Sequence, residues 1–426
     1  MVRVALLSYR SKAHCGGQGI YLRHLSRELV ALGHEVTVFS GQPYPELDPG
    51  VDLVKVPSLD LYREPDPFRV PHLREFRDRI DVLEFATMCT AGFPEPWTFG
   101  KRLVAQHLEA LKTFDVIHDN QTLAHGVLEL EELGLPVVAS IHHPITMDRK
   151  LDLAAAPTLR KKLSLRRWYG FLRMQGKVAR GLKHIVTVSQ SSAVDIAREF
   201  GVDPERIDVI PLGVQPEVFA PYAGKRVPGR IVAMASADSP LKGIATLLES
   251  LAKLRTERDV TLTLVTKPTA GGVTERLVDR LGIGDIVTFV HGLSVEDLAA
   301  TMGSAEIVCV PSLYEGFSLP TLEAMACGTP LVVSDGGAIP EVVGEPGLCA
   351  DIVPAGDAEA LTAALGALLD DPDRRERMGQ AARERARTTF SWEAVARATA
   401  KIYEHAIHQA RGDRSSRPTV STQAGI

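Results

Sequence analysis

Two glutamates mark the segment with the clearest chemical potential. Glu315 and Glu323 are separated by seven residues in SLYEGFSLPTLEAMACGTPLVVSD (312–335). Glu315 follows a strand-like run, and Pro320 suits the first position of a helix, so we expect Glu323 in the first helical turn. The N–H groups of 317–319 would then leave a helix N-terminus, which attracts phosphate. Ionised carboxylates accept strong hydrogen bonds from hydroxyl groups, so the pattern indicates a sugar-phosphate pocket. The alternative is a pair of ordinary first-turn glutamates.

The same segment resembles the E-x7-E motif of retaining nucleotide-sugar glycosyltransferases with the GT-B fold, in particular family 4. The resemblance extends from residue 2 to about residue 405. It implies that Glu315 faces the hydroxyls of the donor sugar and that Glu323 binds the ribose. It also implies that the donor diphosphate is held by the backbone that follows Glu315, at Gly316, Phe317, Ser318 and Leu319.

A glycine-rich loop follows the first strand-like run. Gly16 and Gly17 stand in AHCGGQG, immediately before a helical pattern. Glycine there lets a ligand approach the backbone closely. Because position 22 is leucine, the loop is not a G-x-G-x-x-G dinucleotide fingerprint, and a plain turn is the alternative. In the family that the chain resembles, this loop lies across from the donor diphosphate, which implies that Gly16 and Gly17 bind the donor.

A lysine follows the first strand-like run of the second half, in SADSPLKG (236–243). Lys242 can neutralise a leaving diphosphate, and a solvated loop lysine is the alternative. The resemblance predicts a Gly-Arg pair where this chain has Ser236 and Ala237, so the arginine is missing. We hypothesise that Lys267, which stands where the family often has glycine, compensates for it.

Histidines follow several strand-like runs. His142 aligns with the family histidine that faces C6 of the donor sugar, and we name it with Lys242 and Glu315 as a catalytic candidate. His291 is added to the donor-binding candidates. Three residues of VIHDN are candidate acceptor contacts: His118, Asp119 and Asn120.

Neither a metal nor a cofactor is indicated. The tight D-x-D at 371–373 is typical of a turn, and three cysteines lack zinc-like spacing, namely Cys309, Cys327 and Cys349. The resemblance implies metal-independent transfer with the nucleotide sugar as co-substrate. It favours front-face attack, in which the leaving phosphate oxygen accepts the acceptor proton.

Two series of elements must position these residues. Short β-branched runs alternate with helical patterns, which predicts parallel sheets covered on both faces. The runs are 2–8, 34–40, 52–58, 115–120, 136–142 and 184–189, then 230–236, 260–267, 286–292, 306–312 and 330–335. The predicted fold class is therefore α/β, with two Rossmann-like doubly wound domains that face a cleft, which is the GT-B arrangement.

The predicted organisation separates an acceptor domain from a donor domain. The boundaries are 1–210 for the acceptor domain, 211–229 for a linker, 230–390 for the nucleotide-sugar domain, 391–410 for a helix that returns to the first domain, and 411–426 for a disordered tail.

Composition excludes several classes of protein. The chain has 426 residues, 45% of them hydrophobic, with a net charge of −5. The acidic balance argues against nucleic-acid binding, and a membrane span is not expected because no run approaches 18 apolar residues. Five scattered cysteines give no disulfide framework, so we expect a cytoplasmic protein.

Two segments bear on the acceptor and on membranes. Residues 57–102 form a long insertion rich in proline and aromatics, where family acceptors bind; two helices packed over the sheet edge are the alternative. The stretch 160–183 holds nine Lys or Arg and no acidic residue, and we expect it to form a helix. It suits peripheral contact with an anionic membrane, while packing on its own sheet is the alternative.

The predicted function is transfer of a hexose, with retention, from a nucleotide diphosphate sugar to a hydroxyl of a glycan, lipid or small polyol. A nucleotide-sugar epimerase, a phosphorylase and a non-catalytic sugar-nucleotide-binding protein are the alternatives. The base, the sugar, the acceptor and the oligomeric state stay open. A thermal-shift panel of UDP-, GDP- and ADP-sugars discriminates among donors, because a ligand of the folded state raises its stability.

Overall fold

The chain is described from a computed structural model, which covers residues 1–11, 17–235 and 238–416. It divides into two compact units. The first unit comprises residues 1–187, 193–210 and 395 onward, and the second comprises 188–192 and 211–394. The chain therefore leaves the first unit, builds the second, and returns to the first.

The first unit contains a parallel sheet, which has seven strands within the described residues and the order β3-β2-β1-β4-β5-β6-β7. The strands are β1 (Arg3–Ser8), β2 (Glu35–Ser40), β3 (Val51–Lys55), β4 (Val116–Asn120), β5 (Val137–Ser140), β6 (His184–Thr187) and β7 (Ile207–Val209). The central strands are buried on both faces, as β4 shows with five buried residues.

Eight helices of the described chain connect these strands. They are α1 (Gly17–Ala31), α2 (Arg79–Cys89), α3 (Glu95–Leu111), α4 (His125–Glu132), α5 (Thr146–Ala155), α6 (Leu159–Trp168), α7 (Leu172–Gly181) and α8 (Gln190–Phe200). Apolar side chains of strands and helices pack into one core, with Leu7, Phe99 and Ile117 among its members.

The second unit contains another parallel sheet, with six strands in the described chain and the order β10-β9-β8-β11-β12-β13. The strands are β8 (Val227–Met234), β9 (Thr261–Val265), β10 (Val287–Val290), β11 (Ala305–Val310), β12 (Leu331–Ser334) and β13 (Asp351–Val353). The helices are α9 (Ile244–Leu254), α10 (Val273–Leu281), α11 (Val295–Gly303), α12 (Leu319–Ala326), α13 (Ile339–Val343), α14 (Ala358–Asp370) and α15 (Pro372–Thr389). Its core includes Leu247, Ile307 and Val332.

Side-chain caps explain where several helices begin. Asp78, Thr158, Ser294, Asp357 and Asp371 each accept a hydrogen bond from a backbone N–H in the first turn of the helix that follows. Such caps satisfy backbone donors that have no partner inside the helix. The Asp-Pro-Asp sequence at 371–373 is thus a helix start, in agreement with its interpretation as turn chemistry.

The last helix, α16 (Trp392–Ser416), packs into the first unit. It extends six residues beyond 410, so our expectation that 411–416 are disordered is wrong; residues 417–426 lie outside the described chain. Tyr403 is fully buried, and its hydroxyl lies 2.6 Å from Nδ1 of His118 on β4. This bond joins residues that are 285 positions apart.

Replacing Tyr403 with phenylalanine is expected to lower the free energy of unfolding by about 1–3 kcal/mol, because it leaves a buried ring nitrogen of His118 without its partner. Urea denaturation of the wild type and the variant measures the effect. Tyr222→Phe is the control, since Tyr222 is 41% exposed. Equal urea midpoints for all three proteins would show that the bond adds no stability.

The basic stretch 160–183 is not one continuous helix. The helix α6 ends at Trp168, a 3₁₀ turn follows at Tyr169–Phe171, and α7 then runs to Gly181. Most side chains of α6 are exposed, whereas α7 buries five residues. The two halves of the stretch therefore differ: α7 packs on its own unit and α6 presents its cations to solvent. Contact with a membrane stays a prediction.

Candidate active site

Four of the predicted donor residues lie at one edge of the second sheet. Because β8, β9, β10 and β11 are parallel, their carboxyl ends share an edge. Lys242 follows β8, Lys267 follows β9, His291 follows β10 and Glu315 follows β11. Ligands of open α/β sheets bind at such an edge, so the topology agrees with the prediction of a ligand site here.

Lys242 and Glu315 form a direct ion pair at this edge. The distance from Nζ of Lys242 to Oε1 of Glu315 is 2.7 Å, and both side chains are largely buried. The hydroxyl of Ser312 donates to the same oxygen at 2.7 Å. Among the described residues, Oε2 of Glu315 has no protein partner, so it is available to a ligand hydroxyl.

The backbone around Gly243 brings the two charges together. Gly243 adopts φ +62°, and a Cβ there would lie 1.8 Å from the carbonyl oxygen of Pro311. The N–H of Leu313 donates to the carbonyl of Leu241 at 2.7 Å. The loop of Lys242 therefore lies directly against the loop that follows β11, and only glycine fits between them.

The loop after Glu315 leads into α12. The carbonyl of Gly316 accepts hydrogen bonds from the hydroxyls of Ser189 and Ser192, which belong to the same unit. Ser318 has φ +86° and is the N-cap residue of α12, and its hydroxyl is paired with that of Thr321. A non-glycine residue at positive φ is uncommon and often stands at a functional site.

The first backbone amides of this segment are unbonded. Within the described chain, the N–H groups of Phe317, Ser318 and Leu319 have no protein acceptor. Unbonded amides at a helix N-terminus, next to the ammonium of Lys242, form an electropositive group that suits an anion. These are the amides that we predicted to hold the diphosphate.

Glu323 lies one residue further along the helix than expected. Helix α12 begins at Leu319, so Glu323 is in its second turn rather than its first. Its side chain is half-buried and has no hydrogen-bond partner among the described residues. Burial raises the pKa of Glu323 to about 7. A desolvated carboxyl without a protein partner fits the predicted contact with ribose hydroxyls.

Glu323→Gln is expected to flatten the dependence of stability on pH. The carboxyl has a pKa of about 7 in the folded chain and an ordinary value of 4.5. Between these values the folded state binds more protons than the unfolded state, so stability falls as pH rises and stays lower above pH 7. The free energy of unfolding of the variant, relative to that of the wild type, should therefore be about 1–2 kcal/mol higher at pH 8 than at pH 4.5. This figure is reduced because the side chain is partly exposed.

Urea denaturation of the ligand-free protein at pH 4.5, 6 and 8 measures this difference. Glu249→Gln is the matched control, because Glu249 is an exposed glutamate on α9. Parallel pH profiles for wild type and Glu323→Gln would contradict the assignment of the raised pKa to this carboxyl.

Lys267 and His291 are exposed at the same edge, and neither has a partner in the described chain. Ser236 and Ala237, where the family arginine is missing, lie outside the described residues. The next residue, Asp238, accepts hydrogen bonds from the N–H groups of Val273 and Thr274 and so caps α10. Compensation of the missing arginine by Lys267 stays a prediction.

In the first unit, His118 is not an acceptor contact. It is fully buried, with Nδ1 paired to the hydroxyl of Tyr403 and Nε2 to the hydroxyl of Ser140 at 2.7 Å. Burial lowers the pKa of His118 to about 3, so the ring is neutral. Since both ring nitrogens are bonded inside the protein, His118 stabilises the fold and our expectation of a direct acceptor contact is wrong.

Asp119 and Asn120 are also buried, and their contact with the acceptor stays a prediction. Asp119 accepts a hydrogen bond from the N–H of Leu123 at 2.8 Å. Burial raises its pKa to about 6. Asn120 donates to the carbonyl of Gln18 and pairs with Nε2 of His142. Within the described residues, Oδ1 of Asp119 has no hydrogen-bond partner.

His142 lies two residues beyond the end of β5, not on the strand itself. It is 8% exposed, and its Nε2 is 2.7 Å from Oδ1 of Asn120. Burial lowers its pKa to about 3, which keeps the imidazole neutral. The ring of Tyr21 packs edge-on against it, with centroids 4.8 Å apart. His142 is therefore held in one orientation, and its catalytic role stays a prediction.

The glycine loop is described in part. Gly16 lies outside the described residues, and Gly17 is the exposed first residue of α1. A Cβ on Gly17 would meet no atom within 4 Å, so the protein itself does not require glycine there. Donor binding by Gly16 and Gly17 stays a prediction.

Sequence reasoning missed Ser312 and Asp238. Ser312 follows β11 and bonds Glu315, and Asp238 lies four residues before Lys242. Lys242 was selected because it is a polar residue that follows a parallel strand, and the same criterion would have selected Ser312 and Asp238. No group of three or more His, Cys, Asp or Glu that could hold a metal ion occurs in the described chain. No described helix is long and apolar enough to span a bilayer.

The two parallel α/β sheets, and the lysine–glutamate site at the carboxyl edge of the second, agree with the predicted GT-B class of glycosyltransferases. Two family descriptions match the chain: "Glycosyltransferase Family 4" over residues 15–218 and "Glycosyl transferases group 1" over residues 221–385. The chain belongs to the GT-B glycosyltransferases, and the predictions of this fold and this class of enzyme are confirmed.

Two relatives are similar to this chain over nearly its whole length. The chain is 57% identical over 407 residues to the MMP alpha-(1->4)-mannosyltransferase of Mycolicibacterium hassiacum, covering 95% of this chain and 98% of the relative. It is 29% identical to D-inositol 3-phosphate glycosyltransferase 2 of Catenulispora acidiphila, with 97% of each chain covered.

Solved structures share the fold. Sucrose-phosphate synthase from Thermosynechococcus elongatus has a TM-score of 0.74 and 24% identity, and the match covers 96% of this chain and 100% of that one. HepE from Anabaena, in complex with UDP and glucose, has a TM-score of 0.67 and 18% identity, covering 95% and 100%.

Proposed function

We propose that this protein is a retaining α-mannosyltransferase, which transfers mannose from a nucleoside diphosphate donor to a hydroxyl of a glycan acceptor. The second unit binds the donor and the first unit binds the acceptor. The relative at 57% identity, named as an alpha-(1->4)-mannosyltransferase, supports the sugar and the linkage. For an α-linked donor, an α product means that the configuration at the anomeric carbon is retained.

The observation that carries the proposal is the ion pair of Lys242 and Glu315 beside the unbonded amides of α12. The cation and the amides stabilise negative charge on a leaving diphosphate. Glu315 keeps one oxygen for a hydroxyl of the donor sugar, while Lys242 and Ser312 fix the other. This arrangement needs no metal ion, and we propose that transfer is metal-independent.

The direct test uses the full chain with GDP-, UDP- and ADP-mannose, each with and without an α-(1→4)-linked mannotetraose acceptor. We expect a product one hexose longer with one of the donors, an α-(1→4) linkage by NMR, and the same rate in EDTA. A β linkage, or no transfer with any donor, would overturn the proposal. Conversion of the donor without acceptor would favour an epimerase. A requirement for inorganic phosphate would favour a phosphorylase.

Glu315→Gln separates a transferase from a non-catalytic binding protein. The glutamine keeps the size of the side chain and loses the charge that pairs with Lys242. We expect loss of turnover with the melting temperature of the protein preserved. A biological function that survives this substitution would support the non-catalytic alternative.

A further inference from the structure

An aromatic cluster joins the 57–102 insertion to the end of α6. The ring of Trp168 lies 5.0 Å from that of Phe93, 5.6 Å from that of Tyr62 and 6.0 Å from that of Phe68, measured between centroids. Tyr62 also packs edge-on against Phe68 at 5.3 Å. The four rings therefore form one contiguous aromatic surface in the first unit.

Phe68 is the outer member of this cluster and is unusually placed. It is 58% exposed, although its ring is apolar. Its backbone has φ +66°, which is a genuine outlier for a bulky residue. Both features cost free energy in the isolated protein, and neither improves the packing of the core. Residues held in this way are characteristic of ligand-binding surfaces.

An arginine–glutamate pair, in which the glutamate is buried and the arginine is partly buried, lies beside the inner end of the cluster. Glu95 opens α3, two residues after Phe93, and Arg10 follows β1. The ring of Tyr9, the neighbour of Arg10, lies 6.4 Å from that of Phe93. Nη1 of Arg10 is 3.5 Å from Oε2 of Glu95, which is longer than a hydrogen bond between charged groups.

Both members of this pair have unsatisfied polar atoms. Glu95 is 6% exposed, and among the residues that the structure describes its Oε2 has no hydrogen-bond partner. Nε of Arg10 is also buried without a partner in the described residues. Desolvation raises the pKa of Glu95 to about 8, although Arg10 opposes the shift. A buried donor and a buried acceptor left unpaired are costly, and a ligand with hydroxyl groups would satisfy both.

We propose that the Arg10–Glu95 pair and the aromatic cluster form the subsite for a pyranose ring of the acceptor. Pyranoses have one apolar C–H face, which packs on aromatic rings, and hydroxyl groups, which hydrogen-bond to a carboxyl group and accept from a guanidinium. The ligand class is a neutral oligosaccharide. The inference rests on the proposed function, since it assigns the acceptor of that same reaction.

A neighbouring ionic cluster provides an internal comparison. Arg102 hydrogen-bonds directly to Asp81 and to Glu84, and all three are buried in the same unit. That cluster joins α2 to α3 and is a structural element. The Arg10–Glu95 pair lacks such a direct hydrogen bond, although it is formed from the same residue types. In the described residues Oε1 of Glu84 is also unpartnered, so the two pairs differ in the direct bond to arginine. Glu84→Gln is therefore a matched control for Glu95→Gln.

The test measures initial rates against mannotetraose at saturating donor for wild type, Glu95→Gln, Phe68→Ala and the controls Glu84→Gln and Leu159→Ala. Leu159 is an apolar side chain on α6 that is 79% exposed. For Glu95→Gln we expect KM for the acceptor to rise about 10-fold or more, and for Phe68→Ala about 3- to 10-fold. We expect the KM for the donor to be unchanged in both, and both controls to keep the wild-type KM for the acceptor.

A binding measurement separates this proposal from the proposed function. Trp168 lies in the cluster, so its fluorescence should change when mannotetraose is added without donor, and Trp168→Phe should remove that change. A wild type that transfers mannose, with acceptor KM unaltered in Glu95→Gln and Phe68→Ala, would overturn the subsite alone. A wild type that binds mannotetraose here but transfers nothing would overturn the proposed function alone.

Discussion

Lys242→Ala is expected to lower kcat by about 10²- to 10³-fold, the effect usual for loss of one group that stabilises a developing anion. Lys242 is a cation in direct contact with Glu315, next to the unbonded amides of α12. Position 237 is alanine, where the family usually has an arginine. We therefore expect Lys242 to provide more of the positive charge that neutralises the leaving diphosphate. The substitution also frees Oε1 of Glu315 from its ion pair, which removes a constraint on the carboxylate that we propose contacts the donor sugar.

Steady-state kinetics with the donor found by the panel measures this loss. Lys253→Ala is the matched control, because Lys253 is a surface lysine of the same unit, paired with Glu359. Lys267→Ala, run beside it, reports whether the second lysine shares the charge. A value of kcat within a few-fold of wild type for Lys242→Ala would refute the role that we give to this residue.

Gly243→Ala is expected to lower the free energy of unfolding by about 2–5 kcal/mol. The left-handed backbone, with φ +62°, costs about 1–2 kcal/mol for a residue with a Cβ. The new Cβ would lie 1.8 Å from the carbonyl oxygen of Pro311, so the backbone has to move, which adds about 1–3 kcal/mol. The movement separates Leu241 from Leu313 and withdraws Lys242 from Glu315, so activity should fall as well.

Gly282→Ala isolates the steric part of this effect. Gly282 has φ +65°, almost the same as Gly243, but a Cβ there meets no atom within 4 Å. We expect this control to lose about 1 kcal/mol and to keep full activity. Equal urea midpoints and equal kcat for the two variants would show that contact with Pro311 is unimportant.

The long strands and the second half of the site were predictable from sequence. Buried runs such as 2–8 and 306–312 correspond to β1 and β11, because a parallel strand covered on both faces is almost continuously apolar. The shortest strands, β7 and β13, were missed. Each has three residues, too few for any periodicity to be detected. Likewise, β8 begins at Val227, inside the segment that we interpreted as a linker.

The first half of the site was predicted less well, for a physical reason. Position after a strand indicates that a polar residue is near the sheet edge, but it does not indicate what else packs there. His118, Asp119 and Asn120 are covered by partners distant in sequence, such as Tyr403. Arg10 and Glu95 are also far apart in the chain, so no local pattern joins them.

The return of α16 to the first unit has a consequence for synthesis of the protein on the ribosome. Thr399 and Tyr403 are fully buried there, and Ala406 almost so. The first unit therefore completes its packing only after the whole second unit has left the exit tunnel. A gene fragment that stops at residue 210 should yield an unstable product, and exchange of first units between related enzymes should succeed only when the terminal helix is exchanged with them.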